Sequence, residues 1–157
     1  VGIWMGGCQA QEQKVETQEQ KIERLIKQLQ DQNKDVRIYA AFALGMIGEE
    51  AIDAVPALIQ ALQDQDKSVC VYAARALGGI GAKDAVPALI QALQDPNEDV
   101  RINAARALGE KGPEAKDAVP DLIQVLQDEN VGVRRRVARA LGRIGTPEAL
   151  KAVKDFQ

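Results

Sequence analysis

The chain has 157 residues, the length of one domain, and is 46% hydrophobic but only 3% aromatic. A core of Ala, Leu, Val and Ile suits thin layers of packed helices better than a globular core built on aromatic side chains. The net charge of −3 argues against a general nucleic-acid binder, and the lack of histidine removes the commonest general base and metal ligand.

Residues 1–19 form a segment whose composition differs from that of the rest of the chain. The first seven residues, VGIWMGG, are apolar or small, Cys8 follows, and the sequence then becomes polar and rich in Gln and Glu. This order resembles the end of a bacterial lipoprotein signal, which implies a lipid on Cys8 and removal of residues 1–7. The alternative is an ordinary N-terminal cap with a free thiol. Both the bacterial cell envelope and the cytoplasm therefore stay open as locations, and membrane contact is expected only through that lipid.

The remaining residues, 20–157, contain one pattern in four copies. The string A-L-G-x-x-G occurs four times and the dipeptide Val-Pro three times. From each Pro to the Val that opens the second half of a copy there are always 13 residues. Self-similarity at fixed offsets indicates a repeat array. We predict units at residues 20–48, 53–81, 84–112 and 117–145, followed by a cap at 147–157.

Each unit is predicted to form two helices joined by a polar turn. Apolar residues at i, i+3, i+4 and i+7 give the first helix one buried face. Its predicted N-caps, each followed by a Pro in the first turn, are Asp53, Asp84 and Asp117. The predicted caps of the second helix are Asp35, Ser68, Asp99 and Gly132. Left-handed glycines are predicted to end the second helix at Gly48, Gly81, Gly112 and Gly145.

The two ends of the array are also predicted to be helical. Val15 shares an apolar face with Ile22 and Leu25, so the polar spacer is predicted to continue from about Gln11 into the first repeat helix. At the other end, the closing helix is predicted to turn Leu150, Val153 and Phe156 inward. Its lysines would give the last unit a polar outer face.

Two paired motifs resemble a known family. D-V-R-x-x-A-A-x-A-L-G-x-x-G with A-V-P-x-L-I-x-x-L is similar to the HEAT-like repeat of the phycobilisome-lyase type. The resemblance implies an all-α, right-handed α-solenoid of about four HEAT-like helical hairpins plus a C-terminal capping helix. Cys70 stands where the pattern has Arg, and we interpret it as a small core residue. The family includes enzyme subunits, but it offers no catalytic motif to carry over, and fold does not imply function.

No catalytic residue, metal site or cofactor is predicted. Without histidine the chain has no Ser-His-Asp or Cys-His pair. The glycine-rich stretch 78–81 ends a predicted helix, whereas a phosphate loop must precede one. Arginines recur beside the core valine that opens the second helix, which predicts structural ion pairs with turn carboxylates at Arg37, Arg101 and Arg134.

A binding surface is predicted on the second helices. Placed on a helical wheel, four positions of each second helix point away from the core. The resemblance implies that this face lines the concave side of the solenoid. Aromatic residues and Arg, the types enriched at interface hot spots, are frequent there. The predicted partner-binding residues are Ile38, Tyr39, Phe42, Met46, Tyr72, Arg75, Asn103, Arg106, Arg135, Arg136, Arg139 and Arg143.

The sequence therefore predicts a non-catalytic scaffold that binds another protein or a peptide with an acidic feature. A subunit of a chromophore lyase or a related modification complex is the alternative. A third hypothesis, a nucleic-acid or phospholipid binder, would show steep salt dependence. Two simpler interpretations of the surface also stay open. The N-terminal segment could cover Tyr39 and Phe42, or Asp128, Glu129 and Glu148 could neutralise the arginines.

The lipoprotein hypothesis predicts the behaviour of Cys8. Native protein should begin at Cys8, carry acyl chains and sediment with membranes, and Cys8→Ser should release it into the soluble fraction. Intact mass spectrometry of protein from its own host measures the modification directly. An unmodified full chain in the soluble extract would refute the hypothesis.

Overall fold

The computed structural model of the protein describes residues 14–156 and contains no strand within that range. The α-helices are α1 Gln18–Gln28, α2 Lys34–Ile47, α3 Val55–Ala61, α4 Lys67–Ile80, α5 Val86–Ala92, α6 Glu98–Lys111, α7 Val119–Val125, α8 Val131–Ile144 and α9 Pro147–Phe156. Three linkers form 3-10 turns, at Gly48–Ala54, Lys83–Ala85 and Gly112–Ala118. The predicted all-α class is confirmed.

The helices form an α-solenoid of hairpins. Each first helix (α1, α3, α5, α7) packs on the second helix that follows it, and the second helices α2, α4, α6 and α8 pack side by side in chain order. α9 packs on α8 and α7 at the end of the array. Each hairpin thus buries its apolar face only against its neighbours, as repeat architectures do.

Small aliphatic residues fill the core. Each first helix contributes one fully buried leucine, and so does each second helix. By hairpin, these leucines are Leu25 and Leu44, Leu58 and Leu77, Leu89 and Leu108, and Leu122 and Leu141. The rest of the core is mostly Ala and Val, so the helix layers lie close together without aromatic side chains.

A seam of glycine and alanine brings the second helices into close contact. A Cβ atom built on Gly45 would lie 3.0 Å from the Cα of Ala76 in the next second helix. The same test gives 3.0 Å for Gly78 against Ala107 and 2.9 Å for Gly109 against Ala140. Distances this short are tighter than nearly all Cβ contacts, so a larger residue at any of the three glycines would push the neighbouring helix away.

The helix N-termini differ from the predicted caps. Each second helix begins two residues earlier than predicted, because an Asn or Asp side chain there accepts the backbone N–H two or three positions on. These caps are Asn33, Asp66, Asn97 and Asn130, which replace the predicted Asp35, Ser68, Asp99 and Gly132. The predicted caps of the first helices are also wrong. Asp53, Asp84 and Asp117 lie in the linkers, whose 3-10 turns run into the helix and leave alanine at the cap without a side-chain bond.

All four closing glycines have positive φ, as predicted. Gly81 and Gly145 are left-handed helical, but Gly48 and Gly112 combine φ of +76° and +58° with ψ of −140° and −136°. That region is close to the one open almost only to glycine. Gly48 and Gly112 each begin one of the two long 3-10 linkers, whereas Gly81 precedes the short one.

The recurring arginines join neighbouring hairpins. Arg37 donates to the carbonyls of Asp31 and Gln32 in its own turn and pairs with Asp64 of the next unit, Nε to Oδ2 2.9 Å. Arg101 pairs in the same way with Asp128, at 2.8 Å. These two predicted ion pairs are confirmed. The third is wrong, because Arg134 donates to the backbone carbonyls of its own turn and no described carboxylate pairs with it.

The pKa of the Asp128 carboxyl is lowered by the groups around it. Burial alone would raise the pKa of its carboxyl, but the backbone N–H of Asn130 and the guanidinium of Arg101 outweigh burial and lower it. The stabilisation from this group is therefore present above the unfolded pKa and is lost as the pH falls through the lowered folded value.

The second unit replaces this arginine by Cys70. Its side chain is fully buried and its Sγ donates to the carbonyl oxygen of Asp64 at 3.1 Å, so the thiol acts as a small core group, as predicted. Burial raises the pKa of the Cys70 thiol. Asp95, the aspartate that would have received the arginine, is contacted instead by Lys67 at 3.4 Å.

The start of the array differs from its prediction. α1 begins at a capping box between Thr17 and Gln20, so residues 14–17 are not helical, and Val15 is 88% exposed. Cys8 lies outside the described residues, and its lipidation stays a prediction. No helix among residues 14–156 has the length and apolar character needed to cross a membrane.

The predicted orientation of α9 is wrong. Ala149 is its buried residue and Val153 is half-buried, whereas Leu150 is 51% and Phe156 is 40% exposed. The helix packs against α8 and α7 on one side only, and no described element covers its other side.

Lys111 is a buried charge at the end of α6. The equivalent residues of the other three second helices are isoleucines, Ile47, Ile80 and Ile144. Its Nζ donates to the carbonyl oxygen of Leu77 at 3.1 Å, and no carboxylate among the described residues pairs with it. Burial lowers the pKa of Lys111.

Lys111→Ile should stabilise the protein by at least about 1 kcal/mol and remove part of its pH dependence. Because the folded pKa is lowered, the penalty for the buried charge is complete below that value and fades as the pH rises towards the unfolded value of 10.5. Urea unfolding of both proteins from neutral pH to about pH 10 measures this, and the gap between them should narrow with pH. A difference in unfolding free energy that stays constant with pH would show that Lys111 does not carry a buried charge.

The seam makes a matched pair of glycine substitutions informative. Gly109→Ala should destabilise the protein by about 1–2 kcal/mol, since its methyl group meets backbone. Gly142→Ala, at the equivalent position of α8, meets no described atom within 4 Å and should stabilise it by up to about 1 kcal/mol through helix propensity. Thermal unfolding gives the melting temperature of each variant. Equal changes for Gly109→Ala and Gly142→Ala would contradict the close packing of the seam.

Candidate functional site

The candidate site is a groove along the exposed side of the second helices α2, α4, α6 and α8. The Gly-Ala seam forms its floor, because small residues leave space between the larger side chains on either side. A cavity of about 160 Å³ lies where α2, α4 and α6 meet. Six larger side chains line it, namely Phe42, Met46, Tyr72, Arg75, Arg106 and Glu110.

Aromatic contacts organise one end of this cavity. The rings of Phe42 and Tyr72 meet edge to face, with centroids 6.2 Å apart and planes at 82°. The guanidinium of Arg75 lies 5.4 Å from the centroid of the Tyr72 ring, a cation–π distance. Phe42 and Met46 are nevertheless 48% and 73% exposed. The three helices therefore present a preformed apolar row that no described residue covers.

The polar side of the cavity is balanced within α6. Arg106 donates to Glu110, Nε to Oε1 2.9 Å, one helical turn away. Asn103 donates to the backbone carbonyl of Asp99 and does not line the cavity. Glu110 lies on the predicted outward face but is not among the predicted partner-binding residues, although its i, i+4 spacing from Arg106 indicates this contact.

A basic surface occupies the other end of the groove. Arg135, Arg136 and Arg139 of α8 line a shallow depression of about 420 Å³, and Arg143 lies one turn further along. Among residues 14–156 no carboxylate forms an ion pair with any of the four.

Intramolecular neutralisation of these arginines is not found among the described residues. Asp128 is used by Arg101, and neither Glu129 nor Glu148 forms an ion pair there. Like charges four residues apart on a helix repel, at a cost of about 0.2–0.5 kcal/mol for each pair. The repulsion among these arginines therefore costs stability, and no ion pair with a described carboxylate offsets that cost.

The remaining predicted residues lie outside both depressions. Tyr39 is 54% exposed beside the aromatic row, and the stem of Arg143 passes Gly109. Ile38 is half-buried against the core, so it supports the groove rather than lining it. The structure thus brings five predicted residues together in the cavity and three in the basic depression.

The polar groups of the groove are of a few kinds. Among the described residues no group of His, Cys, Asp or Glu side chains is arranged to hold a metal ion. The groove's polar side chains are guanidinium groups, the hydroxyls of Tyr39 and Tyr72, one carboxylate and one amide, all of which can hold a partner by hydrogen bonds.

Comparison with known proteins gives one family and several structures. A family model described as HEAT repeats matches residues 22–95, 55–116 and 86–156. A search of curated proteins found no match. The complex of CpcE and CpcF of phycocyanin lyase from Nostoc sp. contains a chain that is 30% identical, with a TM-score of 0.70. That match covers 86% of this chain and 63% of the other, so the chain spans less than two thirds of that relative.

Engineered repeat proteins are similar as well. The crystal structure of one engineered protein is 30% identical with a TM-score of 0.67, over 86% of this chain and 67% of the other. A designed armadillo repeat protein in complex with the peptide (KR)4 has a TM-score of 0.65 over 86% of this chain and 70% of its own, but at 19% identity it shows the fold alone.

Proposed function

Because this chain belongs to the family of HEAT-repeat proteins, we propose that it is a non-catalytic scaffold that holds another protein or a peptide in the groove. The observation that carries the proposal is the apolar row of exposed Phe42 and Met46 with half-buried Tyr72 between the helices. This row runs towards a basic surface that has no ion pairs to described residues. Packing of the hairpins requires neither feature, because the seam and the buried leucines already join the units.

The size of the cavity favours a side chain as its occupant. Pockets for small molecules and cofactors measure about 300–1,000 Å³. At about 160 Å³, the cavity beside Tyr72 suits one apolar side chain of a partner, held against aromatic rings. Hot spots of protein interfaces have this character: an aromatic anchor near the centre with arginines around it.

The basic end sets the charge of the partner. Four arginines on α8 without ion pairs to described carboxylates favour acidic side chains or a C-terminal carboxylate, which Arg binds in bidentate geometry. The apolar part of the same partner would reach Phe42 and Tyr72. Charge complementarity of this kind raises the association rate and selects among partners.

A second candidate function is a subunit of a chromophore lyase or a related modification complex. The 30% identity to a chain of the phycocyanin lyase complex favours it. Such a subunit would need a second repeat chain and would handle a bilin. Protein purified from its own host would then carry colour, and a colourless preparation with a bound peptide would favour the scaffold instead.

The scaffold proposal predicts that groove variants lose the partner but keep their fold. Phe42→Ala and Arg139→Glu should each weaken binding by at least about 1 kcal/mol, because one removes an aromatic anchor and the other reverses a charge in the basic surface. The partner is first captured from the native cell and identified by mass spectrometry. Calorimetry then gives its affinity for each variant.

Matched controls come from exposed residues outside the groove. Ile52 is 51% exposed and Lys83 is exposed, both in linkers. Ile52→Ala and Lys83→Glu remove an exposed apolar group and reverse a charge without touching the groove, so their affinities should equal that of the unaltered protein. Unaltered affinity in both groove variants would mean that the partner binds elsewhere.

A further inference from the structure

One position of the repeat forms a row across the groove. The residues immediately before the four A-L-G-x-x-G strings are Phe42, Arg75, Arg106 and Arg139, and all four are exposed. The alanine that follows each arginine is the one that contacts the seam glycine of the preceding helix. The three arginines, which we call the arginine row, therefore lie at the same level of α4, α6 and α8, and Phe42 precedes them on α2.

The middle of the arginine row already holds a carboxylate. Arg106 donates to Oε1 of Glu110 at 2.9 Å, and Oε2 of the same carboxylate lies against Gly78 of α4. The carboxylate of Glu110 thus lies across the seam between two neighbouring helices. Because the seam glycine has no side chain, the floor of the groove leaves room for a carboxylate beside the arginine row.

The two outer arginines have no such carboxylate. Among residues 14–156 neither Arg75 nor Arg139 forms an ion pair, and Arg75 is oriented only by the Tyr72 ring at 5.4 Å. Three guanidinium groups in line, with one internal carboxylate among them, favour a ligand that supplies several carboxylates in line.

The spacing of the arginine row indicates the conformation of that ligand. Packed helices lie about 8–10 Å apart. Three residues of a polyproline II helix advance about 9.3 Å and return the side chain to the same face. Two residues of a β-strand advance only about 6.6 Å, and an α-helix would need carboxylates seven residues apart. Aromatic side chains such as Phe42 and Tyr72 are also typical of grooves that bind polyproline II segments.

This inference rests on the proposed scaffold function: we propose that the groove binds an acidic segment of a partner protein in the polyproline II conformation. An apolar side chain of the segment enters the cavity beside Phe42. Carboxylates at the third, sixth and ninth residues from it, in either chain direction, meet the arginine row in the order α4, α6, α8. No part of the 157 residues carries this pattern, because no three of its carboxylates follow one another at three-residue spacing.

Glu110 sets the affinity for this segment. Its carboxylate occupies Arg106, so the second carboxylate of the segment has to displace it. An exposed ion pair between residues four apart contributes about 0.3–0.5 kcal/mol, or about a factor of two in affinity. Glu110 is therefore a specificity-determining residue that favours ligands with several carboxylates over ligands with one.

The test uses the full protein and synthetic peptides as probes. The probes are Leu-Pro-Pro-Glu-Pro-Pro-Glu-Pro-Pro-Glu and its reverse, both with blocked ends. Each probe has a control peptide of the same composition and direction in which the three glutamates are adjacent. Fluorescence anisotropy at low salt gives the affinities. We expect one probe to bind at least about fivefold more tightly than its control, because two of its ion pairs cannot form in the control.

Double-mutant cycles then locate each glutamate of the probe. Replacing the glutamate farthest from Leu by Gln should lose its effect in Arg139→Gln, and replacing the nearest one should lose its effect in Arg75→Gln. Glu110→Gln should bind the probe about twofold more tightly. Glu50→Gln removes the same charge from an exposed linker residue and should leave the affinity unchanged.

Equal binding of probe and control, or a coupling order that does not follow the arginine row, would overturn the inference. Tighter binding of an oligonucleotide or of anionic lipid vesicles than of the probes would also overturn it, because it would assign the arginines to phosphate. If the probes fail but a partner captured from the cell requires Phe42 and Arg139, the scaffold function stands and only the polyproline II segment is wrong. A captured partner that needs neither residue would overturn both.

Discussion

Close contact between glycine and alanine backbones is the constraint on which the rest of this structure depends. At 2.9–3.0 Å for a hypothetical Cβ, each seam junction fixes the separation of two second helices. That separation decides how far Arg37 must reach to Asp64 and where the ring of Phe42 meets that of Tyr72. The stacking of the hairpins therefore determines the shape of the groove. The residues that take no part in stacking determine its charge and polarity.

Repetition explains why much of the fold could be predicted. An arginine that recurs beside a core valine suggests a shared purpose, which identified the ion pairs of Arg37 and Arg101 but not the backbone contacts of Arg134. The helical wheel likewise placed Phe42, Tyr72 and Arg75 on one face, and the structure brings them into one cavity. Both arguments use only the period of the repeat and the spacing of residues along a helix, and both can be taken directly from the sequence.

Predictions that depended on a single position were less successful. Asn33 and Asp35 are both good caps, and a choice between them requires the hydrogen bond itself. No prediction was made for Lys111, because nothing in its sequence position indicates that its amine donates to the carbonyl of Leu77. Phe156 was predicted to turn inward, but it is 40% exposed because α9 packs on α8 and α7 through its other side. In each case the position of the side chain depends on a contact with a neighbouring residue, and the sequence period does not predict that contact.

The junction between the second and third hairpins has a mechanical consequence. It lacks the arginine ion pair, because Cys70 takes that place, and Lys67 replaces it with a longer and more exposed contact to Asp95. In a one-dimensional array, cooperativity is only as strong as its weakest interface, so the solenoid should open first between α4 and α6. The cavity is built from side chains on both of these helices. A bound partner would therefore stabilise the contact between α4 and α6, so that the two halves of the molecule unfold together.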